Sequence, residues 1–160
     1  MQRLWAPWRI SYILNDKEDG CIFCNRLQGG DDRKGLILHR GRYTLVMLNK
    51  YPYNNGHLMV APKRHVKSLE DLEQEEMNDL IFTIQRCVAL LKKVLSPHGF
   101  NIGANLGKVA GAGVEDHLHF HIVPRWEGDT NYMPVLADTR VIPEHLQDTY
   151  DRLYQVFKDF

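Results

Sequence analysis

The sequence has no excess of charge of either sign, and this limits the ligands that it can hold. Lys plus Arg and Asp plus Glu each number 20, so the formal net charge is +0. Such a chain has no general positive field with which to hold a nucleic-acid polymer by its phosphates. A small anionic ligand needs only a local site and remains compatible with this balance.

Long apolar runs are also lacking. The first ten residues are interrupted by Arg3, Pro7 and Arg9, so they do not predict the apolar core of a secretory signal peptide. No later segment approaches the run of about 20 apolar residues that crosses a membrane. We therefore expect a cytoplasmic protein without a membrane partner.

Cysteine is scarce, with 3 residues in the chain. An odd number without a secretory signal does not predict a disulfide framework and suits a reducing compartment. Cys21 and Cys24 form a C-x-x-C pair, whose spacing suits zinc but supplies only half of a tetrahedral site. Two reduced cysteines packed as small apolar residues are the alternative. Cys87 stands apart, and core packing accounts for it.

Length and hydrophobic patterning predict one domain of the α+β class. The 160 residues are 44% hydrophobic and 25% charged, as in a globular domain. We expect a single domain over 1–160, with an arm at 1–20, a core at 21–126 and an extension at 127–160.

Helical and β-prone segments alternate in a way that favours hairpins over βαβ units. A long helix is predicted from Glu73 to Leu95, because apolar residues recur there with helical spacing, and a second helix from Pro143 to Phe157. We predict a mainly antiparallel sheet of about five strands. Its strands are predicted near 36–39, 43–48, 57–61, 100–104 and 117–123.

The last predicted strand carries the strongest chemical signal. It reads His117-Leu118-His119-Phe120-His121-Ile122-Val123, and we expect Pro124 to end it. A strand would place its three histidines on one face, with neighbours roughly 7 Å apart. Imidazole acts as a nucleophile, proton donor or neutral hydrogen-bond partner near pH 7. From the residues alone, a row of hydrogen-bonded polar side chains and a three-histidine catalytic zinc site remain alternatives.

This segment matches every position of H-φ-H-φ-H-φ-φ, with φ apolar, which is the signature of the histidine triad family. The sequence resembles that family from about Cys21 to Trp126. Residues 48–63 resemble its ribose loop and fourth histidine, His57, and the segment with Asn105, Gly107 and Gly111 resembles its phosphate loop. Residues 4–9 and 124–134 are similar to a bacterial branch that includes diadenosine tetraphosphate phosphorylases.

The resemblance implies a HIT-like fold and an enzyme that cleaves dinucleoside polyphosphates at the α-phosphate. His119 would attack the phosphorus and form a nucleotidyl-histidine intermediate. Transfer to water would make a hydrolase, and transfer to phosphate a phosphorylase; the sequence leaves this open. The other implied catalytic residues are His117, His121 and His57, and the implied nucleotide-binding residues are Asn49, Asn105, Gly111, Gly113, His119 and His121.

The resemblance also implies one structural Zn²⁺, no organic cofactor, and a symmetric homodimer that pairs through the long helix and an edge strand. The implied ligands are Cys21, Cys24, His65 and His117. A zinc-bound His117 would not be available as a free acid or base. That would leave His119, His121 and His57 for the chemistry.

One departure from the family pattern affects the leaving group. Many members have Gln and Ser or Thr just before the triad, where this chain has Val114, Glu115 and Asp116. The side-chain hydroxyl that would stabilise the leaving group is therefore missing. Glu115 or Asp116 would substitute for it, or both are solvated.

Two other functions use the same residues. A nucleoside phosphoramidase would differ only in its leaving group, whereas a non-catalytic nucleotide-binding protein would keep the pocket without turnover. The complete histidine set counts against the second. Trp5, Trp8 and Trp126 are interpreted as packing anchors, with base stacking left open for Trp126.

Overall fold

The structure is a computed structural model that describes residues 19–129 and 142–160. The predicted arm lies outside these residues except for its last two positions, and Trp5 and Trp8 are therefore not described. The same holds for 130–134, which contributed to the branch resemblance. None of the helices in the described ranges is long and apolar enough to cross a membrane.

Four α-helices and five strands make up the described structure, together with 3-10 turns at Leu69–Asp71 and Lys108–Ala110. In chain order the elements are α1 (Ile22–Gln28), α2 (Asp32–Gly35), β1 (Ile37–Arg40), β2 (Thr44–Leu48), β3 (Leu58–Pro62), α3 (Gln74–Leu95), β4 (Gly99–Gly103), β5 (Phe120–Arg125) and α4 (Leu146–Phe157).

The five strands form one antiparallel sheet in the order β1-β2-β3-β5-β4. The sheet, the long helix and the C-terminal helix confirm the predicted α+β class. The order places β5 between β3 and β4, although the long helix separates β3 from β4 in the chain. The strand that carries His121 therefore has hydrogen-bonded neighbours on both sides, which fixes its position.

The two faces of the sheet are covered by different elements. Helices α3 and α4 pack on one face, where Val46, Leu58, Val60 and Ile122 lie in the main core. A smaller core on the opposite face joins Phe23 of α1 to Leu45, Met47, Met59 and Ala61. His121 pairs with Met59 across the strands, and partners in a ladder point to the same face. His121 therefore projects away from the long helix.

Helix α3 agrees with its prediction to within a residue. Glu75 and Glu76 lie in its first turn and Lys92 and Lys93 in its last, as the helix dipole favours. Cys87 is fully buried in the main core, which confirms that packing accounts for it.

The predicted strand at 117–123 is wrong at both ends, since β5 begins at Phe120 and ends at Arg125. Before it, the Leu118 N–H donates to the Val66 carbonyl at 2.7 Å, beyond the last residue of β3. His117 and His119 consequently precede the strand.

Pro124 does not end the strand. In an antiparallel sheet, the backbone N and C=O of one residue point towards the same neighbouring strand. For Pro124 this is the β3 side, but β3 begins only at Leu58, so the Pro124 carbonyl instead accepts a hydrogen bond from Asn54 Nδ2 at 3.1 Å. The missing N–H of Pro124 therefore costs no hydrogen bond of the ladder.

Candidate active site and metal site

Three of the predicted histidines come together on the α1 side of the sheet. His57 Nε2 lies 2.9 Å from His121 Nδ1. The rings of His119 and His121 meet edge to face, with centroids 4.9 Å apart. The loop before β3, the segment before β5 and β5 itself each contribute one of these rings.

His119 has one ring nitrogen committed to the backbone. Its Nδ1 lies 2.8 Å from the carbonyl oxygen of His117, which can only accept a hydrogen bond. In the neutral ring the proton is therefore on Nδ1, and Nε2 carries a free lone pair. Burial lowers the pKa of His119, although its backbone hydrogen bond raises it in part, so the neutral ring is favoured. This is the form that a nucleophile needs.

His57 and His121 form a relay that starts at the backbone of Tyr53. The Tyr53 N–H donates to His57 Nδ1 at 3.0 Å, so the proton of the neutral His57 ring is on Nε2. His57 Nε2–H then donates to His121 Nδ1, which leaves the proton of His121 on its Nε2. Burial, followed by the neighbouring imidazoles, lowers the pKa of His57 to about 3 and that of His121 to about 4.

Asn49 lies beside this relay at the end of β2. Its Nδ2 is 3.5 Å from His57 Nδ1, and its Oδ1 accepts a hydrogen bond from the Tyr51 N–H at 2.9 Å. The side chain is thus held by its own loop next to the histidines.

The glycine-rich loop is closed by Asn105, whose Nδ2 donates to the Gly111 carbonyl at 3.3 Å. Gly107 and Gly111 have φ of +83° and +89°, the left-handed region that favours glycine. The structure brings Asn105 and Gly111 together, with Gly113 two residues further on. The Asn105 amide bonds to the loop itself, a contact that the sequence did not predict.

The two carboxylates before the triad contact a lysine. Lys67 Nζ lies 3.2 Å from Glu115 Oε1 and 3.5 Å from Asp116 Oδ1. All three side chains are exposed, so these pairs are individually weak.

The four predicted zinc ligands form one cluster, with their ligand atoms within 4.8 Å of one another. Cys21 Sγ lies 3.2 Å from His117 Nδ1, and Cys24 Sγ lies 3.3 Å from His65 Nδ1 and 3.7 Å from His117 Nδ1. Zn–S and Zn–N bonds of the usual lengths separate S and N by about 3.5 Å in a tetrahedral site. The residues therefore fit a tetrahedral zinc ion.

His117 is oriented for this cluster by its other ring nitrogen. Its Nε2 lies 2.8 Å from the Pro62 carbonyl oxygen, so Nε2 carries the proton and the Nδ1 lone pair points to the cysteines. Among the described residues, no cluster of potential metal ligands includes His119 or His121. The alternative of a three-histidine zinc site is therefore not supported.

Sequence reasoning missed two contributors to the site. The ring of Phe23 contacts both groups of histidines, with its centroid 4.9 Å from the rings of His117 and of His119. The sequence signal that could have indicated Phe23 is its position between the two cysteines of the C-x-x-C pair. The backbone of Tyr53 gave no signal, because any residue except proline supplies an N–H.

Comparisons with known proteins agree with this geometry. Residues 33–128 match the sequence model of the HIT domain family. The chain is 41% identical to AP-4-A phosphorylase of Mycobacterium tuberculosis in an alignment of 157 residues that covers 93% of this chain and 80% of that protein. It is 31% identical to an adenosine 5'-monophosphoramidase of Schizosaccharomyces pombe, over 66% of this chain and 74% of that protein.

A solved structure gives the same answer for the fold. The Zn-bound histidine triad family protein from Mycobacterium smegmatis superposes with a TM-score of 0.69 at 27% identity, covering 88% of this chain and 94% of that one. The histidine pattern, the antiparallel sheet and the matched residues 33–128 agree. This chain belongs to the HIT (histidine triad) family.

Proposed function

We propose that this protein cleaves dinucleoside polyphosphates such as diadenosine tetraphosphate at the α-phosphate, through a nucleotidyl group carried on His119. The observation that carries the proposal is the pair of complementary tautomers. His119 offers a lone pair at Nε2, and His121 offers a proton at Nε2, on rings whose centroids are 4.9 Å apart. The name of the mycobacterial phosphorylase supports the substrate class.

In the first step His119 Nε2 attacks the α-phosphorus as the bond to the leaving phosphate oxygen breaks, which releases ATP from diadenosine tetraphosphate. His121 Nε2–H donates to a non-bridging oxygen, where negative charge develops. Asn49 is assigned to the ribose, and Asn105, Gly111 and Gly113 to the phosphate loop. His57 holds the tautomer of His121 and does not itself touch the substrate.

In the second step an acceptor oxygen attacks the phosphorus and breaks its bond to Nε2, which returns the lone pair to His119. With phosphate as the acceptor the product is ADP, and the energy of the anhydride is kept. With water the product is AMP. The phosphorylase named among the relatives favours phosphate.

The missing hydroxyl before the triad favours a polyphosphate substrate over a phosphoramidate. A phosphate leaving group, with a second pKa near 6, departs as an anion near pH 7 without a donated proton. An amine leaves readily only after it takes up a proton. Val114, Glu115 and Asp116 place no hydroxyl there to assist, so phosphoramidase activity is the weaker second candidate.

The deciding experiment follows diadenosine tetraphosphate with and without ³²P-labelled phosphate. We expect ADP and ATP in equal amounts only when phosphate is present, with the label in the β-phosphate of ADP. His119→Ala should lower turnover by more than about a thousandfold, because the covalent intermediate cannot form. His98→Ala, which replaces an exposed histidine, is the matched control.

Each other outcome has a definite meaning. AMP plus ATP, unchanged by phosphate, would make the protein a hydrolase. Faster release of AMP from adenosine 5'-phosphoramidate would favour the phosphoramidase. Nucleotide binding without turnover of either substrate would leave a binding protein, and full activity of His119→Ala would refute the nucleophile.

We also propose one structural zinc ion on Cys21, Cys24, His65 and His117. When bound, the ion would link α1 to the segments that follow β3 and precede β5. It has no part in the transfer steps. Thiolate ligands require reduced cysteines, which supports the proposed location in the cytoplasm, and all three cysteines are free thiols.

We further propose a single domain over 1–160 with its HIT core segment at 21–126. The extension belongs to the same domain because its Tyr150, Leu153 and Phe157 pack into the main hydrophobic core.

The partner proposed for this domain is a second copy of the chain. Ile81 and Phe82 on α3 are 54% and 55% exposed, and Ile102 on β4 is 47% exposed. Ile102 pairs with Ile122, so it points to the same face of the sheet as α3.

A further inference from the structure

The loop between β2 and β3 determines the protonation pattern of the site. The Tyr53 N–H at 3.0 Å, with the more distant Asn49 Nδ2 at 3.5 Å, keeps His57 Nδ1 unprotonated, so the proton of His57 is on Nε2 and that of His121 follows. This backbone donor has to stay within hydrogen-bonding distance of His57 Nδ1. Whatever holds the loop therefore holds the relay.

Two consecutive asparagines tie this loop to the end of β5 and to the chain that follows it. Asn54 Nδ2 donates to the Pro124 carbonyl at 3.1 Å and to Asp129 Oδ2 at 2.8 Å. Asn55 Nδ2 donates to Glu144 Oε2 at 3.0 Å. Asp129 and Glu144 both lie in the C-terminal extension, outside residues 33–128 that match the HIT family model.

In the Asn55 anchor, Thr149 joins Asn55 to Glu144, and its single hydroxyl proton faces two acceptors, Glu144 Oε2 and Asn55 Oδ1. Thr149 is 1% exposed, and its hydroxyl lies 2.6 Å from Glu144 Oε2 and 2.9 Å from Asn55 Oδ1. Arg152 completes the group with an ion pair to Glu144 at 3.0 Å. Removal of one partner would leave another buried polar group without a hydrogen bond, so the anchor resists displacement.

The opposite side of the loop is packed tightly. Gly56 has φ of +71°, and a Cβ built there would lie 2.3 Å from Leu95 Cδ1 of α3. The loop is thus confined between the end of α3 and the polar anchor on α4. A shift at Asn55 has to be taken up within the loop, where Tyr53 lies two residues away.

We infer that Asn55, Glu144 and Thr149 are positioning residues for nucleotidyl transfer: they hold the loop so that the Tyr53 N–H sets the tautomers of His57 and His121. The inference rests on the proposed function for its effect on the rate. Its effect on the tautomers does not depend on any substrate. The C-terminal helix thereby affects the reaction through the loop that it holds.

Asn55→Asp is the sharpest test. The substitution keeps the shape but sets a carboxylate oxygen against Glu144 Oε2, and like charges repel. We expect kcat to fall by about tenfold or more, as for other misplaced catalytic groups, with KM within about twofold. The double variant Asn55→Asp/Glu144→Gln should recover most of the rate, because the repulsion is gone.

Substitutions at Thr149 and Asp148 separate an effect on the loop from a general loss of folding. Thr149→Val should lower kcat in the same way, whereas Thr149→Ser, which keeps the hydroxyl, should not. Asp148→Asn removes an exposed carboxylate from the same turn of α4 and should leave kcat unchanged. Thermal unfolding of each variant establishes that it is folded at the assay temperature.

The direct readout is the ¹⁵N spectrum of the imidazoles in the resting enzyme. We expect the proton of His57 on Nε2 in the wild type and Thr149→Ser, and a mixture of tautomers in Asn55→Asp and Thr149→Val. Folded variants with unchanged tautomers and unchanged kcat would overturn the inference, and so would a loss of kcat with unchanged tautomers. A wild type without turnover but with these tautomer changes would refute the proposed function alone.

Discussion

At the scale of single residues, the histidines differ in what their second ring nitrogen contacts. The His117 carbonyl keeps the proton of His119 on Nδ1, and the Pro62 carbonyl keeps the proton of His117 on Nε2. A backbone N–H keeps His57 Nδ1 unprotonated. Each ring therefore presents a different atom to the site, which is why we assign the four histidines different roles in the proposed mechanism and metal site.

Three of these histidines could be predicted from their alternation with apolar residues, and His57 from the resemblance of its segment to the family. Their tautomers could not be predicted. They depend on backbone groups of Tyr53, Pro62 and His117, which carry no residue-specific signal. The contacts of Asn54 and Asn55 could not be predicted either, because their partners lie about 75 and 90 positions further along the chain.

The low pKa values of His57 and His121 predict a loss of stability in acid. The unfolded chain binds a proton at each of these residues below about pH 6.5, whereas the folded protein binds one only near pH 3 to 4. Their contribution is therefore complete above pH 6.5 and is lost as the pH falls towards the folded values. For His57 the loss between pH 7 and pH 5 should be about 2 kcal/mol.

Urea denaturation at pH 7 and pH 5 measures this loss as the change in the free energy of unfolding. His57→Gln should reduce the loss relative to the wild type, since the residue no longer titrates. His98→Gln makes the same change of residue type at an exposed histidine and is the matched control. Equal losses in the wild type and His57→Gln would contradict the proposed burial of a neutral imidazole.

At the scale of elements, short α1 and the segment before β5 were the hardest to predict. Helix α1 has 7 residues and buries only Phe23, so it shows no clear helical periodicity. The strand at 117–123 was placed three residues too early because the alternation continues through His117 and His119. There, the contacts with Val66, Pro62 and Cys21 replace strand pairing. Strands with a regular ladder, such as β2, were predicted correctly.

The cysteine pair of α1 should make the protein dependent on zinc. Cys24→Ser removes one of four ligands, and we expect the zinc content of the purified protein to fall from one equivalent to less than about a tenth, because serine is a poor ligand for zinc. The thermal midpoint should fall by at least about 4 °C. Metal analysis by mass spectrometry and thermal unfolding measure the two effects.

Cys87→Ala is the matched control, since it removes a thiol from the core on the other face of the sheet. It should keep one equivalent of zinc even if packing lowers its stability. A chelator should lower the thermal midpoint of the wild type and of Cys87→Ala but not that of Cys24→Ser. Wild-type protein with much less than one equivalent would refute the metal site.

At the scale of the whole molecule, the sheet formed by the described residues has two edge strands, β1 and β4. β4 pairs only with β5, and its outer edge lies at the end of the strand order. Open strand edges and contiguous apolar surface mark places where chains associate. Sequence periodicity predicted the length of α3. It could not predict that Ile81 and Phe82 stay exposed, because this depends on which side chains of the helix the sheet covers.

The exposed surface on α3 and β4 therefore predicts a symmetric homodimer. Ile81 and Phe82 are more than half exposed, and Ile102 points to the same face of the sheet as α3. A self-complementary patch of this kind closes with twofold symmetry, in which each residue contacts its counterpart region on the partner. Sedimentation velocity of the wild type should give twice the chain mass at micromolar concentration.

Phe82→Glu should convert the dimer to a monomer, because burying an unpaired carboxylate in an apolar contact costs several kcal/mol. Gln155→Glu adds the same charge at an exposed position of α4 and should leave the dimer intact. A wild type that sediments as a monomer would refute the dimer, and a dimeric Phe82→Glu would place its interface elsewhere. Because His119, His121 and His57 project from the opposite face of the sheet to α3, monomeric Phe82→Glu should keep the tautomers of the wild type. Any fall in its turnover would then measure what the second copy adds to a site that each chain assembles from its own residues.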